Sequence, residues 1–383
     1  MNKVIYYIGF YSPCNQELVI ENRTFSSAAV NLMNFVSNQL SINCNVHILS
    51  PAWSLHTKGF YSGKSISITK NVFLHLTPSF GSVYKIGKIF SKAFAELWLL
   101  GKIILMVKKN DKLIAYHSIA NSLTILLARK IIGFTLVLQL NEIYQDVENL
   151  GRFNNYIENK IISLADSFIL STKQLSNKIA TYNKEYVVCE GVLSMNHINK
   201  QKYNDGKVHL VYAGLIDKIK FCAFNSINLA PFLSSEYLIH IAGFGTEGDL
   251  QDLLQQIVNS NLLFPCKIVY EGFLQGEDLN NFLQQCHIGL VAQSEDQTFT
   301  NSSFPSKIYT YLTNNLEVVC LQNTLIGASP VADLLYTYYE NNPKSIAELI
   351  KKLDISINRF TLYKQRLDEI NASFINRLNL LIA

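Results

Sequence analysis

The sequence predicts an α/β fold made of two doubly wound domains. Short apolar runs alternate with segments whose apolar residues recur at helical spacing, and this alternation occurs twice along the chain. The strand-like runs are continuously apolar, which is typical of parallel sheets covered by helices on both faces. A polar stretch separates the two series, and 383 residues exceed what one hydrophobic core usually serves. Two domains of the same class are therefore expected.

The first series covers residues 1–195, the predicted N-terminal domain. Its first strand begins close to Met1 and is not followed by a small-residue cleavage site, so it is not interpreted as a signal peptide. The predicted strands are Val4–Phe10, Val46–Leu49, Lys112–Tyr116, Thr135–Leu140 and Ser167–Leu170. The predicted helices are Ser26–Leu40, Lys85–Lys109, Ile119–Ile132 and Asn154–Ala165.

The second series covers residues 207–357, after a polar linker at Ser194–Lys207. The predicted strands are Val208–Ala213, Tyr237–Ala242, Cys266–Tyr270, Ile288–Ala292 and Leu316–Leu321. The predicted helices are Gly248–Asn259, Asp278–Gln285 and Pro305–Leu312. A final helix is predicted at 358–383 from an apolar stripe formed by Leu362, Leu367, Ile370, Phe374, Ile375, Leu378 and Leu381. In doubly wound sheets ligands bind outside the carboxyl ends of the strands, which is where we expect the chemistry.

The composition narrows the class of partner. A net charge of +4 is small and scattered, so it gives no electrostatic footprint for nucleic acid. The seven cysteines are spread singly, without a C-x-x-C pair or a histidine at metal-ligand spacing, so neither a disulfide framework nor a zinc site is expected. We infer a reducing, cytoplasmic environment. The mean hydropathy of +0.13 is high for a freely soluble chain and indicates a surface that faces a membrane or a partner.

The helix Lys85–Lys109 is the most apolar segment. Glu96 and Lys102 interrupt it, so its uninterrupted apolar stretches are too short to span a bilayer. Lysines flank the apolar part at Lys85, Lys88, Lys92, Lys108 and Lys109. Two interpretations stay open: a helix that lies in an anionic membrane interface, and a buried helix with solvated ends.

The segment around Lys307 is the strongest candidate for an anion site. A strand leads into a polar loop, Pro305 is predicted to open a helix, and Lys307 falls in its first turn beside Ser303 and Ser306. Free N–H groups, the helix dipole and the ammonium group together favour an anion such as a diphosphate. The alternative is an ordinary capped helix with a solvated lysine.

Three polar residues in the first domain are candidates for the chemistry. His117 and Glu142 each follow a predicted strand, where a side chain can polarise a ligand or take a proton from it. The alternatives are a hydrogen-bonded loop histidine and a capping or solvated carboxylate. Arg23 lies in the loop after the first strand and is a candidate for binding a phosphate with two nitrogens. Otherwise it pairs with Glu21 or faces solvent.

Several motifs, in order along the chain, resemble one enzyme family. The string Phe304–Leu312 (FPSKIYTYL), followed by NNLEVV, resembles the F-P-S-K segment of bacterial glycosyltransferases with the GT-B fold, in particular the retaining family 4 type. Val211–Gly214 with Lys220, His240–Gly245 and Tyr270–Gly272 resemble the donor-domain turns of that family. In the first half, Glu21–Ala29, Leu138–Tyr144, Glu158–Thr172 and Glu190–Val192 resemble capsule and O-antigen transferases.

The resemblance implies a GT-B architecture, with two Rossmann-like domains facing across a crevice and a final helix packed back on the N-terminal domain. It implies donor contacts from Arg23, Gly214, Lys220, Gly243, Gly245, Glu271, Gly272, Ser303, Pro305, Ser306 and Lys307. The chain also departs from the pattern. Ser302 and Thr310 occupy the places of two family glutamates, Asn315–Glu317 replaces Gly-x-Pro, and Leu215 replaces an arginine.

The expected function is transfer of a sugar from a UDP- or GDP-linked donor to a lipid-linked saccharide, in the assembly of a surface polysaccharide. The enzyme would act at the inner face of the plasma membrane as a peripheral protein, with no cofactor, no metal and no nucleic acid. Retention of anomeric configuration is implied by the resemblance alone. The alternatives are a sugar-nucleotide epimerase of the same fold and a non-catalytic partner subunit, which the missing acidic pair favours.

Overall fold

The computed structural model describes residues 3–13, 23–147, 150–218, 222–291 and 304–383. The chain divides into two compact units. One comprises Met1–Glu190 with Ser373–Ala383, and the other comprises Gly191–Ala372. Each unit has its own buried apolar cluster around a mainly parallel sheet.

The first unit contains an eight-stranded sheet in the order β10-β9-β8-β7-β1-β2-β5-β4. The strands of this unit are β1 (Lys3–Ile8), β2 (Cys44–Ser50), β3 (Phe60–Tyr61), β4 (Lys64–Thr69), β5 (Val72–Leu76), β6 (Ser79–Phe80), β7 (Lys112–Tyr116), β8 (Thr135–Leu140), β9 (Ser167–Leu170) and β10 (Tyr186–Val188). Its helices are α1 (Ser27–Ser41), α2 (Lys85–Met106), α3 (Ile119–Ile132), α4 (Tyr144–Val147), α5 (Arg152–Leu164) and α6 (Leu175–Ile179). Among the described strands of this sheet, only β4 runs antiparallel to its neighbour.

The second unit contains an all-parallel sheet in the order β13-β12-β11-β14-β15-β16. Its strands are β11 (Val208–Ile216), β12 (Tyr237–Gly245), β13 (Lys267–Gly272), β14 (Ile288–Val291), β15 (Glu317–Leu321) and β16 (Tyr336–Tyr338). The helices are α7 (Cys222–Ile227), α8 (Glu247–Leu263), α9 (Gly276–Gln285), α10 (Lys307–Leu312), α11 (Thr324–Ala328), α12 (Pro343–Lys351) and α13 (Phe360–Ile382), whose last turns group with the first unit.

The two sheets reverse their strand order at corresponding places. In the first unit β1 lies between β2 and β7, and in the second β11 lies between β12 and β14. A crevice for a ligand opens at such a switch point, outside the carboxyl ends of the two strands. The predicted α/β fold with parallel sheets is confirmed, and the switch points identify where each unit presents its loops.

Three strands and one helix match their predicted limits residue for residue: Lys112–Tyr116, Thr135–Leu140, Ser167–Leu170 and Ile119–Ile132. They match because apolar runs there are bounded sharply. Leu113, Ile114 and Ala115 are fully buried, and Gly133 ends α3 in the left-handed conformation with φ of 80°. The β4–β5 hairpin was not predicted, because its outer strand β4 is mostly exposed and the apolar run of β5 is only five residues long.

The polar segment predicted as a linker packs into the second unit. Asn196 donates a hydrogen bond from Nδ2 to Asn314 Oδ1 at 3.0 Å, and the backbone N–H of Asn199 donates to Gln284 Oε1 at 2.8 Å. The composition of this segment is that of a loop, yet amide side chains tie it to the helices. Polar composition alone therefore did not mark a flexible connection.

The final helix forms, but its buried face differs from the predicted stripe. The buried residues are Tyr363, Leu367, Phe374, Leu378 and Ile382. Leu362, predicted to be in the stripe, is exposed, because the phenol of Tyr363 turns inward and donates to Glu317 Oε2 at 2.7 Å. In the first unit Phe374 stacks on Phe35, with ring centroids 5.7 Å apart, and Arg377 donates to the Tyr186 carbonyl at 3.0 Å.

Six cysteines lie in the described ranges, and none of these six forms a disulfide bond: Cys44, Cys189, Cys222, Cys266, Cys286 and Cys320. Within the same ranges no helix has the length and apolar character needed to cross a membrane.

Candidate functional site

The second unit presents a cluster of glycines at the carboxyl ends of β11 and β12. Gly214 pairs with Gly243 and Ile216 with Gly245 in the parallel register. A Cβ on Gly243 would lie 1.8 Å from the Gly214 carbonyl oxygen, and one on Gly245 would lie 2.3 Å from the Ile216 carbonyl oxygen. Side chains are thus excluded here by the neighbouring backbone. The result is a stretch of bare backbone that a ligand can approach closely.

Lys307 lies against this glycine cluster. Its Nζ donates to the Tyr212 hydroxyl at 2.8 Å and stands 3.9 Å from the centroid of the same ring. The Tyr212 hydroxyl in turn donates to the Leu215 carbonyl at 2.8 Å. A Cβ on Gly214, whose φ is 152°, would lie 2.5 Å from both Nζ and Cε of Lys307. The ammonium group is therefore fixed over the end of β11 at the switch point.

The start of the helix differs from the prediction. Helix α10 begins at Lys307, not at Pro305, and Ser306 precedes it without a side-chain capping bond. The Pro305 carbonyl accepts from the Ile308 N–H at 3.0 Å, as a turn that leads into the helix. The six-residue helix has little aligned dipole, so the predicted helix-terminus contribution is weak and the lysine carries the positive charge. Predicted contacts Lys220 and Ser303 lie outside the described residues.

Glu271 and Gly272 end β13, next to the glycine cluster. Gly272 pairs with Ala242 and has a φ of 76°. Two residues before it, the Tyr270 hydroxyl donates to the Gly243 carbonyl at 2.9 Å. The Glu271 carboxylate lies 2.7 Å from His240 Nδ1. His240 is itself buried within β12, so only the later residues of the predicted turn at 240–245 reach the end of the strand.

In the first unit, His117 lies at the carboxyl end of β7, beside the switch point. Its Nε2 is 2.9 Å from Glu158 Oε1, and both side chains are buried. Glu158 also accepts from the backbone N–H groups of Tyr144 at 2.7 Å and Gln145 at 3.0 Å. Burial is the largest single influence on the pKa of the Glu158 carboxyl and raises it. The bonds from His117, Gln145 and Tyr144 together outweigh burial, so the pKa is lowered.

The pairing with Glu158 decides which ring nitrogen of His117 is left for other contacts. A carboxylate accepts only, so Nε2 carries the proton in that bond. Nδ1 is then a lone-pair acceptor, and it is buried without a hydrogen-bond partner. The ring is therefore oriented to accept a hydrogen bond or a proton at Nδ1.

Glu142 follows β8 by two residues and is partly buried. Burial raises the pKa of the nearby Tyr116 phenol to about 12; a bond to Asn141 opposes this shift, and the Glu142 charge adds to it. Tyr144, two residues after Glu142, has its ring 5.3 Å from that of His117. His117 and Glu142 thus belong to the same group of loops after β7 and β8.

Arg23 lies before α1, paired by a backbone bridge with Ser54. It is only 6% exposed, which rules out the solvent-facing alternative, and its Nε and one terminal nitrogen have no hydrogen-bond partner. Burial lowers the pKa of its guanidinium to about 10, while the Tyr61 phenol works against this. A buried guanidinium with unmet donors is the environment in which an anion is bound.

Two residues of these sites were not recognised in the sequence. Glu158 begins one of the resembling motifs but was not named as a site residue. It interrupts an apolar stripe, since Ile157, Ile161 and Ile162 around it are all buried. A carboxylate in such a stripe needs a partner, which is a usable signal. Tyr212 gave no signal, because a tyrosine in an apolar strand is ordinary core material.

Both units together define a class of fold. Two doubly wound parallel sheets with a returning C-terminal helix form the GT-B fold of glycosyltransferases. The solved structures similar to this chain include the trehalose-6-phosphate structure from E. coli bound with UDP-2-fluoro glucose, at 11% identity and a TM-score of 0.67, covering 99% of this chain and 98% of that one. At such identity the likeness establishes the fold and no more.

Two other solved structures are similar to this chain over nearly its whole length. A UDP-forming trehalose-phosphate synthase from Burkholderia xenovorans in complex with glucose-6-phosphate matches with a TM-score of 0.65 and 9% identity, over 98% of this chain and 100% of that one. The N-terminal domain of a Candida albicans trehalose-6-phosphate phosphatase matches with a TM-score of 0.68 and 10% identity, over 100% and 96%. No protein-family profile matches the chain, and no curated protein matches it by sequence.

Proposed function

We propose that the protein is a glycosyltransferase that takes a sugar from a nucleoside-diphosphate donor held by the second unit. The observation that carries the proposal is the Lys307 ammonium group, fixed by Tyr212 over the bare backbone of Gly214. Negative charge develops on the diphosphate as the sugar leaves, and a prealigned ammonium stabilises it without reorganising. Structures of the same fold bound with UDP-2-fluoro glucose, or described as UDP-forming, support a uridine donor.

Glu271 and Gly272 would contact the nucleoside of the donor. They lie one strand over from Gly243, and the positive φ of Gly272 turns the chain sharply after β13. Lys220 and Ser303 complete the predicted set of phosphate contacts, as in the family 4 type that the sequence resembles. Where family members carry two glutamates this chain has Ser302 and Thr310, so the ribose would depend on other groups such as Glu271.

His117 and Glu142 would act on the sugar and the acceptor. The Nε2 atom of His117 is bonded to Glu158. Its Nδ1 atom can therefore accept a hydrogen bond from a sugar hydroxyl, or take the proton that the acceptor substrate loses. Glu142, which lies in the same group of loops, would accept a hydrogen bond from a sugar hydroxyl. A retaining outcome follows only from the resemblance to family 4.

The acceptor we propose is a lipid-linked saccharide, as in capsule and O-antigen assembly. The support is an apolar surface on α2 and α3, here called the α2–α3 surface. It consists of the exposed side chains of Ile86, Phe90, Leu97, Ile104, Leu105, Leu123, Leu127 and Ile131. Large exposed apolar patches mark surfaces that bind partners or membranes.

The charges around the α2–α3 surface match an anionic bilayer. Glu96 is the one acidic residue in the two helices, and it faces inward: it accepts from Thr124 Oγ1 at 2.7 Å and Trp53 Nε1 at 3.2 Å. Exposed lysines stand at the same helices: Lys85, Lys88, Lys92 and Lys130. Basic residues beside an apolar face favour binding at the cytoplasmic leaflet. Helix α2 thus buries one stripe and exposes another, which agrees with neither a wholly buried helix nor a spanning one.

A second acceptor class is a soluble sugar phosphate. The buried guanidinium of Arg23, with its unmet donors, favours an anionic ligand in the first unit. Arg23 would bind either the donor diphosphate, as the sequence predicts, or a phosphate on the acceptor. A structure of the same fold holds glucose-6-phosphate, which makes this class worth testing.

The test of the donor is a melting-temperature series with UDP-, GDP- and CMP-sugars. A ligand bound only to the folded state stabilises by RT ln(1 + [L]/Kd), so a true donor raises the Tm in a concentration-dependent way. Products formed with donor alone would indicate an epimerase. Transfer only in the presence of a lipid-linked saccharide, or only with a sugar phosphate, would decide the acceptor. No shift with any nucleotide sugar would favour the non-catalytic subunit and overturn the proposal.

A further inference from the structure

Four ionisable side chains form a continuous line across the second unit. Asp205 Oδ1 lies 3.0 Å from His209 Nε2, His209 Nδ1 lies 2.8 Å from His240 Nε2, and His240 Nδ1 lies 2.7 Å from Glu271 Oε1. The line runs from the segment before β11, through β11 and β12, to the end of β13. His209 and His240 are 2% and 4% exposed. The line therefore connects the segment that precedes β11 with the proposed donor turn at the end of β13.

Counting protons shows what this line requires. Each of its three contacts needs one hydrogen, and the ionised carboxylates at the ends supply none. Nε2 of His209 must donate to Asp205, and Nδ1 of His240 must donate to Glu271. If both rings were neutral, the two remaining nitrogens would face each other at 2.8 Å as lone pairs. All three bonds exist only when the two rings together hold three protons, one more than two neutral imidazoles.

None of the described groups around the line supplies the third hydrogen, so the extra proton has to reside on the two histidine rings. Tyr203 stacks on His209, with ring centroids 4.1 Å apart, and Phe282 meets the His240 ring edge-on at 5.3 Å. His287 lies outside the line, because its Nδ1 accepts from the backbone N–H of His209 at 3.0 Å.

Two more titratable groups come from neighbouring elements. Lys202 donates to the Cys286 carbonyl, and Cys286 directly follows α9. Among the described residues no three His, Cys, Asp or Glu side chains are arranged to hold a metal ion. The facing groups are thus Lys202, Tyr203, His287 and Cys286, and none of them supplies a hydrogen bond to the contact between His209 and His240.

We propose that His209 and His240 share one extra proton that closes this line, and that His240 thereby acts as the positioning residue for Glu271 in the donor turn. The role of Glu271 rests on the proposed donor site. When the proton leaves, one of the three contacts must open. The ends are the partners free to move, since the Asp205 and Glu271 side chains are 51% and 25% exposed. Proton loss thus loosens the turn that holds the nucleoside.

The direction of the pH effect follows from the surroundings. Burial lowers the pKa of His240, and the bond to Glu271 opposes this. Burial, together with the nearby Lys202 ammonium, lowers the pKa of His287 to about 4. The hydrogen bond to His209 lowers the pKa of Asp205, so this end stays ionised. The line closes as the pH falls through the titration of the pair, and opens as the pH rises.

The first experiment counts the protons directly in the full-length protein. Nitrogen-15 NMR of histidine-labelled protein, from pH 4.5 to 8, reports the protonation of each ring nitrogen. We expect His209 and His240 to show one shared titration, and the chemical shift of the Gly272 amide to change over the same pH range. In Glu271→Gln and in Asp205→Asn the shared titration should move to lower pH. Glu277→Gln, a carboxylate outside the line, is the matched control and should leave the titration unchanged. Independent titration of the two rings, unmoved by Glu271→Gln, would overturn the proposal.

A second experiment separates this inference from the donor function. Calorimetric affinity for the best UDP-sugar should fall about fivefold as the shared proton is lost, the size usual for one hydrogen bond, and become flat with pH in Glu271→Gln. Tight binding with no such dependence would refute the positioning role. If no nucleotide sugar binds at any pH while the shared titration persists, the donor function fails and the shared proton stands.

Discussion

The ammonium nitrogen of Lys307 lies 2.8 Å from the hydroxyl of Tyr212 and 3.9 Å from the centre of its ring. Tyr212 is 1% exposed, and burial raises the pKa of its phenol well above the ordinary value, so it remains a neutral hydrogen-bond partner. The Tyr212 hydroxyl is thus a neutral acceptor for the lysine. It positions the ammonium group at the carboxyl end of β11.

Replacing Lys307 by Ala should remove one charge-assisted hydrogen bond to the donor, about 1.5 to 3 kcal/mol. This corresponds to about a 10- to 150-fold loss in donor affinity or in kcat/KM. Calorimetry with a nucleotide sugar, alongside the Tm, measures both. Tyr212→Phe is the control for position: it keeps the ring beneath the ammonium and removes the hydroxyl, so its loss should be smaller. Unchanged affinity in Lys307→Ala with an intact fold would move the phosphate site elsewhere.

Replacing Glu158 by Gln should move the ring proton of His117 from Nε2 to Nδ1. A Gln amide can donate to Nε2, which transfers the ring proton to Nδ1 and removes the acceptor there. We expect kcat/KM to fall about 100-fold or more, within the range for a lost general base. Because Glu158 also accepts from two backbone N–H groups, Tm is measured too. Glu185→Gln, an exposed carboxylate of the same unit, should leave both quantities unchanged. Full activity in Glu158→Gln would remove His117 from the mechanism.

Glu96 should make stability depend on pH. Burial raises the pKa of its carboxyl to about 7, and the bonds from Thr124 and Trp53 only partly oppose this. The folded protein then keeps the proton that the unfolded chain has lost. Stability is fully present below about pH 4.5 and falls as the pH rises towards 7, by about 3 kcal/mol.

Urea unfolding from pH 4.5 to 8 tests this expectation. Glu96→Gln should remove most of the slope and be more stable than the unmodified protein at pH 8, while the exposed control Glu348→Gln should retain the slope. If Glu96→Gln keeps the same slope, another group is responsible.

The α2–α3 surface should bind anionic vesicles. Phe90→Gln with Leu97→Gln removes two exposed apolar side chains, each worth about 1.5 to 3 kcal/mol when buried, so partition should fall by about 100-fold or more. Leu262→Gln with Leu263→Gln, on the exposed side of α8, is the matched control and should have no effect. Vesicle flotation measures the partition.

The lysines of α2 should contribute the electrostatic part of this binding. Replacing Lys85, Lys88 and Lys92 together by Glu removes about 1 kcal/mol for each lysine near an anionic surface. Flotation should weaken with anionic vesicles and change little with neutral ones. If neither set of substitutions alters flotation, the surface faces something other than lipid.

Asn315 should tolerate glycine and no ordinary side chain. It ends the turn after α10 with a φ of 60°, at the position where the resembling family has glycine. Asn accepts this left-handed conformation, whereas Ala pays about 1 kcal/mol or more. Denaturant midpoints should therefore be nearly equal for Asn315→Gly and the unmodified chain and lower for Asn315→Ala. Equal stability of all three would mean that the turn relaxes.

The departures from the family pattern have physical consequences that only the structure reveals. Glu317 stands where proline is usual, and it is buried between Arg359 at 2.9 Å and the Tyr363 hydroxyl at 2.7 Å. The sequence marked the substitution as a loss of the usual turn. The structure shows a new ion pair that anchors the start of the final helix.

The sequence by itself determined the α/β class and the order of the most strongly apolar strands and helices. Continuous apolar strands and helical periodicity are local signals, since each depends on which residues sit two or about four apart. Strand β7 was therefore placed correctly to the residue, as was the end of helix α3 at Gly133. The glycines at 214, 243 and 245 were named through the resemblance to a glycosyltransferase family, and the turn motifs that carry it are also short, local stretches of sequence.

Only the tertiary structure decided which polar groups meet. His117 and Glu158 are 41 residues apart, Lys307 and Tyr212 are 95 apart, and His209 and His240 are 31 apart. Each pair is brought together by strand order, and that order follows from how whole apolar faces pack. No local spacing carries such information. The charge state and orientation of these groups, and with them the chemistry proposed here, are properties of the packed sheets.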